Sequence, residues 1–205
     1  MQGQSGSGND LKFDFTGKTV FVTGASRGIG REIALSFAGD GARLILSARN
    51  ADALEQVAQE ARTLGAEVEV LTLDQRNVED IKTRIATLGS IDVLVNNAGV
   101  EEVRPTLEAD EALWDKIVDT NLKGAFFVAQ AVASKMADAG SGAIINLASL
   151  TSYVGVPGAA PYGASKSGIL GMTRAMAAEW APLGIRVNAI APGYFETDMT
   201  SVFYE

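Results

Sequence analysis

Apolar residues along the chain follow two different spacings. Short apolar runs, typical of buried strands, alternate with longer stretches in which apolar residues recur every three or four positions, as on one face of a helix. The strands are predicted at residues 18–23, 42–47, 68–73, 91–95, 143–147 and 185–190, and the helices at residues 29–38, 50–64, 77–88, 110–139 and 160–180.

Strands that alternate with helices in this way predict an α/β fold. The expected architecture is a single-domain, doubly wound parallel sheet, Rossmann-like, in which right-handed crossovers place helices on both faces. No shift in composition and no internal repeat marks a second domain, so residues 16–205 are predicted to form one unit. The Gly- and Ser-containing start, residues 1–15, is expected to be a flexible tail.

Composition agrees with such a domain and argues against several classes of protein. The 205 residues, 47% of them apolar, suffice for one sizeable core, and no run reaches the roughly 18 consecutive apolar residues of a membrane span. A formal charge of −8 without a basic stripe argues against nucleic acid as a partner. The first residues lack the basic and apolar regions of a signal peptide, and the chain has no Cys. A cytoplasmic protein without membrane contact is therefore expected.

The absence of His and Cys also limits the catalytic chemistry. Ser-His-Asp catalysis, Cys-His catalysis and His/Cys metal sites are excluded, and no metal is expected. A proton donor that works near neutral pH must then be a carboxyl group, a Lys or a Tyr with a shifted pKa.

Tyr162 and Lys166 are the leading candidates for that chemistry. They are four positions apart in a predicted helix and therefore share one face, and Ser149 directly follows the strand before it. A phenol beside an ammonium group, with a hydroxyl facing it, can bind a carbonyl oxygen and give it a proton. The ammonium is expected to lower the pKa of the phenol. The alternative is that both are ordinary surface and packing residues.

Reduction of a carbonyl group also needs a hydride, which a nucleotide cofactor can supply. A glycine-rich turn between the first strand and the first helix suggests a binding site for such a cofactor. Glycines at 24, 28 and 30 let the backbone approach a pyrophosphate at a helix N-terminus, although turns also collect Gly for geometric reasons. NAD sites usually carry an acidic residue at the end of the second strand, whereas this chain has Arg49. Arg49 and Arg27 suit a 2′-phosphate and predict NADP(H) over NAD(H); the alternative is two surface arginines.

With these motifs in place, the chain resembles the classical short-chain dehydrogenase/reductase family from residue 18 to about residue 200. Residues 23–30 are similar to its cofactor turn, residues 96–99 to its fourth-strand motif, and Tyr162 with Lys166 to its catalytic pair. Asn121, Ser149 and residues 192–193 fall at matching places. Several separate motifs therefore agree in order and spacing.

The resemblance implies roles for four catalytic residues. Tyr162 would be the general acid in reduction and the base in oxidation, Lys166 would bind the nicotinamide ribose, and Ser149 would polarise the carbonyl. Asn121 would interrupt the long helix and position a water that relays protons to Lys166. The alternative is that Asn121 is an ordinary polar residue of the helix without a catalytic role. The implied cofactor contacts are Gly24, Ser26, Arg27, Gly28, Ile29, Gly30, Arg49, Asp74, Gln75, Asn97, Ala98, Gly99, Tyr162, Lys166, Gly193, Phe195 and Thr197.

The resemblance also implies features outside the active site. The family usually continues for some tens of residues past this point, so its C-terminal strand and substrate lid are expected to be missing from this chain. Family members commonly form homodimers or homotetramers through the helices equivalent to 110–139 and 160–180, and a homo-oligomer is expected here. The small residues on the second of these helices fit close packing, either between subunits or onto the chain's own sheet.

The substrate is expected to be a small free carbonyl compound or alcohol: a ketone, a keto-sugar or a polyol. Residues 192–200 resemble the corresponding segment of 3-oxoacyl-acyl-carrier-protein reductases and of sugar-acid and polyol dehydrogenases. Docking of an acidic acyl carrier requires basic residues around the cleft, whereas the loop after the fourth strand carries Glu101 and Glu102. The alternative is that Glu101 and Glu102 belong only to a solvated loop. The alternatives are a 3-oxoacyl-acyl-carrier-protein reductase and a catalytically silent nucleotide-binding or regulatory protein. The intact set of four catalytic residues favours an enzyme.

Overall fold

The sheet in a computed structural model of the protein, which describes residues 13–193, is parallel throughout. Its strand order is β3-β2-β1-β4-β5-β6. The strands are β1 Thr19–Thr23, β2 Arg43–Ala48, β3 Val68–Thr72, β4 Val93–Asn96, β5 Gly142–Leu147 and β6 Ile185–Ile190. The predicted doubly wound, Rossmann-like fold is confirmed, with strand bounds within about two residues of the expected ones.

The helices connect successive strands and cover both faces of the sheet. They are α1 Gly28–Gly39, α2 Ala51–Thr63, α3 Val78–Thr87, α4 Glu111–Val118, α5 Ala125–Ala139 and α6 Ala160–Trp180. The starts of α2, α3 and α4 are capped by the side chains of Asn50, Asn77 and Asp110, each of which accepts a hydrogen bond from a backbone N–H in the first turn. Polar residues thus define the helix boundaries that apolar periodicity leaves open.

The long helical region predicted at 110–139 is interrupted in the structure. Between α4 and α5, Asp119–Gly124 forms a π-helical turn. Such a turn displaces the side chains that follow it around the helix axis and is frequent at functional sites. The interruption that the family resemblance implied at Asn121 is confirmed.

The core consists of two layers, one on each face of the sheet. Phe21 and Ile45 point to the face covered by α3, α5 and α6, whereas their neighbours Val22 and Leu44 point to the face covered by α1 and α2. All four side chains are fully buried, which is the pattern of a parallel sheet covered on both sides.

Phe15 lies at the start of the packed part of the chain. Its ring contacts Phe37 edge-on at 4.7 Å between centroids, and its backbone N–H donates to Asp40 O at 2.8 Å. Residues 1–12 of the predicted tail lie outside the described residues. Within the range 13–193, none of the helices combines the length and apolarity that crossing a membrane would require.

The sheet topology determines where a ligand can bind. The chain winds outward in one direction through β1, β2 and β3 and in the other through β4, β5 and β6. The loops that leave β1 and β4 therefore diverge and open a crevice at the carboxyl ends of the strands, where ligands bind in open α/β sheets. The glycine-rich turn and residues 97–99 lie on these two loops, and Ser149 follows the neighbouring strand β5.

Candidate active site

The loops that leave β1 and β4 are joined to each other by side-chain hydrogen bonds. Thr23 Oγ1 accepts from the backbone N–H groups of Asn97 and Ala98, both at 3.0 Å. Asn97 Nδ2 donates back to Thr23 O at 2.9 Å and Gly24 O at 3.2 Å. The two predicted cofactor motifs therefore form one connected edge of the crevice.

The glycine-rich turn has a backbone that larger residues would disturb. Gly24 and Gly28 have φ angles of +65° and +54°, in the left-handed region that favours glycine. A Cβ on Gly24 would lie 2.7 Å from Ala98 Cα, and one on Gly30 would overlap Gly24 O and Asn97 Nδ2. The turn thus packs closely against the loop after β4, and its glycines line a cavity at the start of α1, where a pyrophosphate can bind.

One cavity of about 620 Å³ connects this turn with the predicted catalytic residues. Its size lies within the usual range of small-molecule and cofactor sites, roughly 300–1,000 Å³. Predicted site residues that line it are Gly24, Ser26, Arg27, Gly28, Ile29, Gly30, Arg49, Asp74, Gln75, Asn97, Ala98, Gly99, Ser149, Tyr162, Lys166 and Gly193. Phe195 and Thr197 lie outside the described residues.

Ser149, Tyr162 and Lys166 meet at one end of the cavity. Ser149 caps a short helical turn after β5, and its hydroxyl is near enough to the Tyr162 phenol to act against the rise in the phenol's pKa. Lys166 lies one turn further along α6, with Nζ 5.6 Å from the centroid of the Tyr162 ring. Lys166 Nζ also donates to Leu147 O at 2.7 Å, which anchors the ammonium beneath the cavity wall.

The electrostatics of this pair differ from the sequence-based expectation. Burial and, to a smaller extent, the carboxylate of Glu101 raise the pKa of Tyr162 to about 12, while the hydrogen bond with Ser149 acts in the opposite direction. Burial lowers the pKa of Lys166 to about 8. The expectation that the ammonium lowers the phenol pKa is wrong for this structure, because desolvation dominates at both groups.

The lowered pKa of Lys166 predicts a pH-dependent stability. Because the unfolded chain holds the proton up to its usual pKa of 10.5 and the folded chain only up to about 8, stability should rise with pH inside that window. Between pH 7.5 and 9.5, wild-type protein should gain about 2 kcal/mol of unfolding free energy relative to Lys166→Met. Urea titrations of both proteins at the two pH values measure this difference, and parallel stabilities would contradict the lowered pKa.

Asn121 lies behind the cavity wall and does not line the cavity. Its side chain is 1% exposed in the π-helical turn; it accepts from Val100 N at 2.8 Å and donates to Val100 O at 2.9 Å and to Ser165 Oγ at 3.2 Å. A Cβ on Gly99 would lie 3.3 Å from Asn121 Oδ1 and 3.6 Å from Lys166 Nζ. Asn121 thus fixes the loop after β4 beside Lys166, and the proton relay remains a prediction.

The opposite end of the cavity carries both arginines and one carboxylate. Arg27 and Arg49 are exposed at its lining, and Asp74 binds Arg76, whose guanidinium holds the pKa of that carboxyl below its usual value. Arg49 also contributes to this lowering. This end therefore has the excess positive charge that a phosphate needs.

Gln75 connects segments of the chain that surround the cavity. Its side-chain amide donates to Thr120 O at 2.6 Å and to Ala98 O at 3.3 Å, and the side chain is buried. The cofactor contact that the resemblance implied for Gln75 would have to use the remaining atoms of this residue. In the structure the amide connects the loop after β3 to the π-helical turn.

Glu101, which the sequence analysis placed in the acidic loop near the cleft, lines the cavity itself. The residue lines the cavity beside Tyr162 and Lys166, and burial raises the pKa of its carboxyl. Its neighbour Glu102 turns away and binds Arg104 and Lys116. The sequence analysis treated both residues alike, because nothing in the local sequence distinguishes the two positions. Across residues 13–193, no group of three or more His, Cys, Asp or Glu residues could hold a metal ion.

The fold and this cavity together are those of a Rossmann-like dinucleotide-binding protein. Comparisons with known proteins identify its family. A family model described as short chain dehydrogenase matches residues 18–205. The gluconate 5-dehydrogenase of Gluconobacter oxydans (strain 621H) is 39% identical over 192 residues, which are 92% of this chain and 75% of that relative. The chain belongs to the short-chain dehydrogenase family, whose members are oxidoreductases.

Two further relatives show the range of activities among similar proteins. The 3-oxoacyl-(acyl-carrier-protein) reductase FabG of Staphylococcus epidermidis (strain ATCC 35984) is 42% identical over 189 residues, 90% of this chain and 78% of that relative. The crystal structure of a gluconate 5-dehydrogenase from Burkholderia cenocepacia J2315 in complex with NADP and tartrate superimposes with a TM-score of 0.90. That structure is 35% identical, and the match covers 95% of this chain and 78% of that one.

Proposed function

We propose that the protein is an NADP(H)-dependent oxidoreductase that interconverts a carbonyl group and a secondary alcohol on a small substrate. The observation that carries this proposal is the single cavity, which places the glycine turn and Arg49 at one end and Ser149, Tyr162 and Lys166 at the other. A nucleotide bound at the first end would extend toward the second. The structure with bound NADP at a TM-score of 0.90 supports the same choice of cofactor.

The residues of the cavity fit such a cofactor. Gly24 and Gly30 let the turn pack directly against the loop after β4, because a Cβ on either residue would clash with that loop or with the turn itself. Such a tight glycine turn at the start of a helix is the usual site of a pyrophosphate. Arg27 and Arg49 would bind a 2′-phosphate, and Lys166 would bind the nicotinamide ribose. When bound, the nicotinamide supplies or accepts the hydride.

Residues of the chain itself would transfer the proton to or from the substrate oxygen. With a pKa of about 12, Tyr162 carries its proton at neutral pH and can donate it to a carbonyl oxygen. The Ser149 hydroxyl would donate a hydrogen bond to the same oxygen and stabilise the charge that develops there. A protonated Tyr162 favours the direction of reduction at neutral pH, and oxidation should need higher pH.

The candidate substrates are a ketone, a keto-sugar or a polyol. Gluconate 5-dehydrogenases among the relatives support a small polar substrate, whereas the FabG relative supports an acyl group on a carrier protein. An acidic carrier would meet the acidic loop that contains Glu101 and Glu102, which disfavours the second choice. A 3-oxoacyl-acyl-carrier-protein reductase therefore remains the alternative.

We also propose that the protein is a homo-oligomer, a dimer or tetramer, formed through α4, α5 and α6. Trp114 on α4 and Phe126 on α5 are 46% and 38% exposed. Beside Phe126, the side chains of Leu122, Phe127 and Met172 line a shallow apolar depression between the π-helical turn, α5 and α6. Apolar surface of this kind is typical of a subunit interface.

A turnover assay tests the proposed activity. Purified protein with NADPH should reduce at least one compound in a panel of α-hydroxy ketones, keto-sugars, diketones and short 3-oxoacyl thioesters. Binding of NADPH without turnover on any of them would favour the catalytically silent alternative.

The cofactor preference gives a separate prediction at Arg49. A guanidinium on a phosphate forms charge-assisted hydrogen bonds worth roughly 1.5–3 kcal/mol, so Arg49→Ala should weaken NADPH binding by about 10- to 100-fold. NADH binding, which lacks the 2′-phosphate, should change little. Calorimetric titration with each nucleotide measures both constants.

Arg62→Ala provides a control for the loss of one positive charge. Arg62 lies on α2 and pairs with Glu55, and it does not line the cavity. Its replacement should leave both affinities unchanged. Tighter binding of NADH than NADPH by wild-type protein would contradict the arginine argument while leaving the oxidoreductase assignment intact.

A further inference from the structure

Glu101 places a carboxyl group at the catalytic end of the cavity. It follows β4 and lines the cavity together with Ser149, Tyr162 and Lys166. Its carboxylate is close enough to interact electrostatically with both Tyr162 and Lys166. When a substrate carbonyl is bound at Tyr162, the charge of Glu101 would act on the substituents of the carbonyl carbon.

The carboxyl group of Glu101 is partly desolvated and lacks a direct partner. Over residues 13–193, it takes part in no hydrogen bond or ion pair. The side chain is half-buried, and burial raises its pKa while Lys166 lowers it. A carboxylate in such surroundings gains more from a hydrogen-bond donor than one in water.

The accessible charge at this end of the cavity is negative. Lys166 is 5% exposed, and its ammonium donates to Leu147 O at 2.7 Å and lies over the Tyr162 ring, so little of it faces the open cavity. The other charged residues of the cavity lining, which include Arg27 and Arg49, lie toward the nucleotide end. Among residues 13–193, Glu101 is therefore the carboxyl group of the cavity lining that a substrate at the catalytic end would approach.

We propose that Glu101 determines substrate specificity: it accepts a hydrogen bond from a hydroxyl next to the reacting carbonyl and repels substrates that carry a carboxylate or phosphate there. This inference rests on the proposed oxidoreductase function and names its substrate class as neutral α-hydroxy ketones and the matching vicinal diols.

A matched pair of substrates tests the proposal directly. Hydroxyacetone and pyruvate differ only in a hydroxymethyl group against a carboxylate beside the carbonyl, and both can be assayed with NADPH at neutral pH. Wild-type protein should prefer hydroxyacetone, with a kcat/KM at least about tenfold higher. Glu101→Gln removes the charge with little change in shape, and it should reduce this preference about tenfold through a gain on pyruvate.

Glu102→Gln is the matched control, because it removes the same charge one residue away, where the carboxylate binds Arg104 and Lys116 outside the cavity. It should leave the preference unchanged. An unchanged preference in Glu101→Gln, an equal change in both variants, or a wild-type preference for pyruvate would each overturn the proposal.

The same assay separates failure of this inference from failure of the proposed function. If wild-type protein reduces other carbonyl compounds but not hydroxyacetone, the specificity proposal is overturned and the oxidoreductase assignment stands. If the protein reduces no compound in the panel, both are overturned.

Discussion

Replacement of Tyr162 by Phe is expected to lower kcat for carbonyl reduction by about 10²- to 10⁴-fold, the usual contribution of a positioned general acid. Phe keeps the ring that packs over Lys166 and removes only the proton donor. Since the phenolic hydroxyl lies at the catalytic end of the cavity, NADPH binding at the glycine turn should be nearly unchanged. Steady-state kinetics and calorimetry on the same preparations measure the two effects.

Tyr153→Phe is the control for loss of a phenolic hydroxyl in the same part of the chain. Tyr153 is 67% exposed and does not line the cavity. Its replacement should leave kcat unchanged. A Tyr162→Phe protein with wild-type turnover would show that another group supplies the proton, and equal losses of turnover and NADPH affinity would point to a disturbed fold.

Replacement of Gly30 by Ala is expected to weaken NADPH binding by about 5- to 100-fold. The new Cβ would overlap Gly24 O and Asn97 Nδ2, so the turn and the loop after β4 must separate. Overpacking of this kind costs roughly 1–3 kcal/mol, and about 1.4 kcal/mol corresponds to a factor of ten in affinity. Calorimetric titration with NADPH measures the loss.

Gly39→Ala is a matched control on the same helix. A Cβ on Gly39 meets nothing within 4 Å. Because Ala is the better helix former by roughly 1 kcal/mol, this variant should be at least as stable as wild type and should bind NADPH normally. Normal binding by Gly30→Ala would mean that the nucleotide does not depend on the close packing of this turn.

The sequence predicted the fold well because the sheet is buried on both faces. The central strands of such a sheet are nearly continuous apolar runs, whereas the edge strands β3 and β6 also carry Glu69, Arg186 and Asn188. Together with the apolar faces of the crossover helices, these runs are strong signals. Polar caps such as Asn50 and Asn77 marked the helix starts. The π-helical turn at Asp119–Gly124 carries no comparable signal in apolar spacing, and only the family resemblance indicated the interruption.

The site was predicted less completely than the fold. The sequence placed Ser149, Tyr162 and Lys166 in one site because Tyr162 and Lys166 share a helix face and Ser149 directly follows the strand before that helix. It could not predict that Tyr162 and Lys166 would be so deeply desolvated, since burial depends on how the loops pack. For the same reason Glu101 and Glu102 looked alike, although only Glu101 lines the cavity.

The hydrogen bonds that join Thr23 to Asn97 also have a thermodynamic consequence for ligand binding. Ordering the backbone of one loop residue costs roughly 1–2 kcal/mol of conformational entropy, and that cost usually subtracts from affinity. Here both loops at the nucleotide end are already held in place by Thr23 Oγ1 and Asn97 Nδ2. A dinucleotide should therefore bind this edge in one kinetic step, with an association rate that loop rearrangement does not limit.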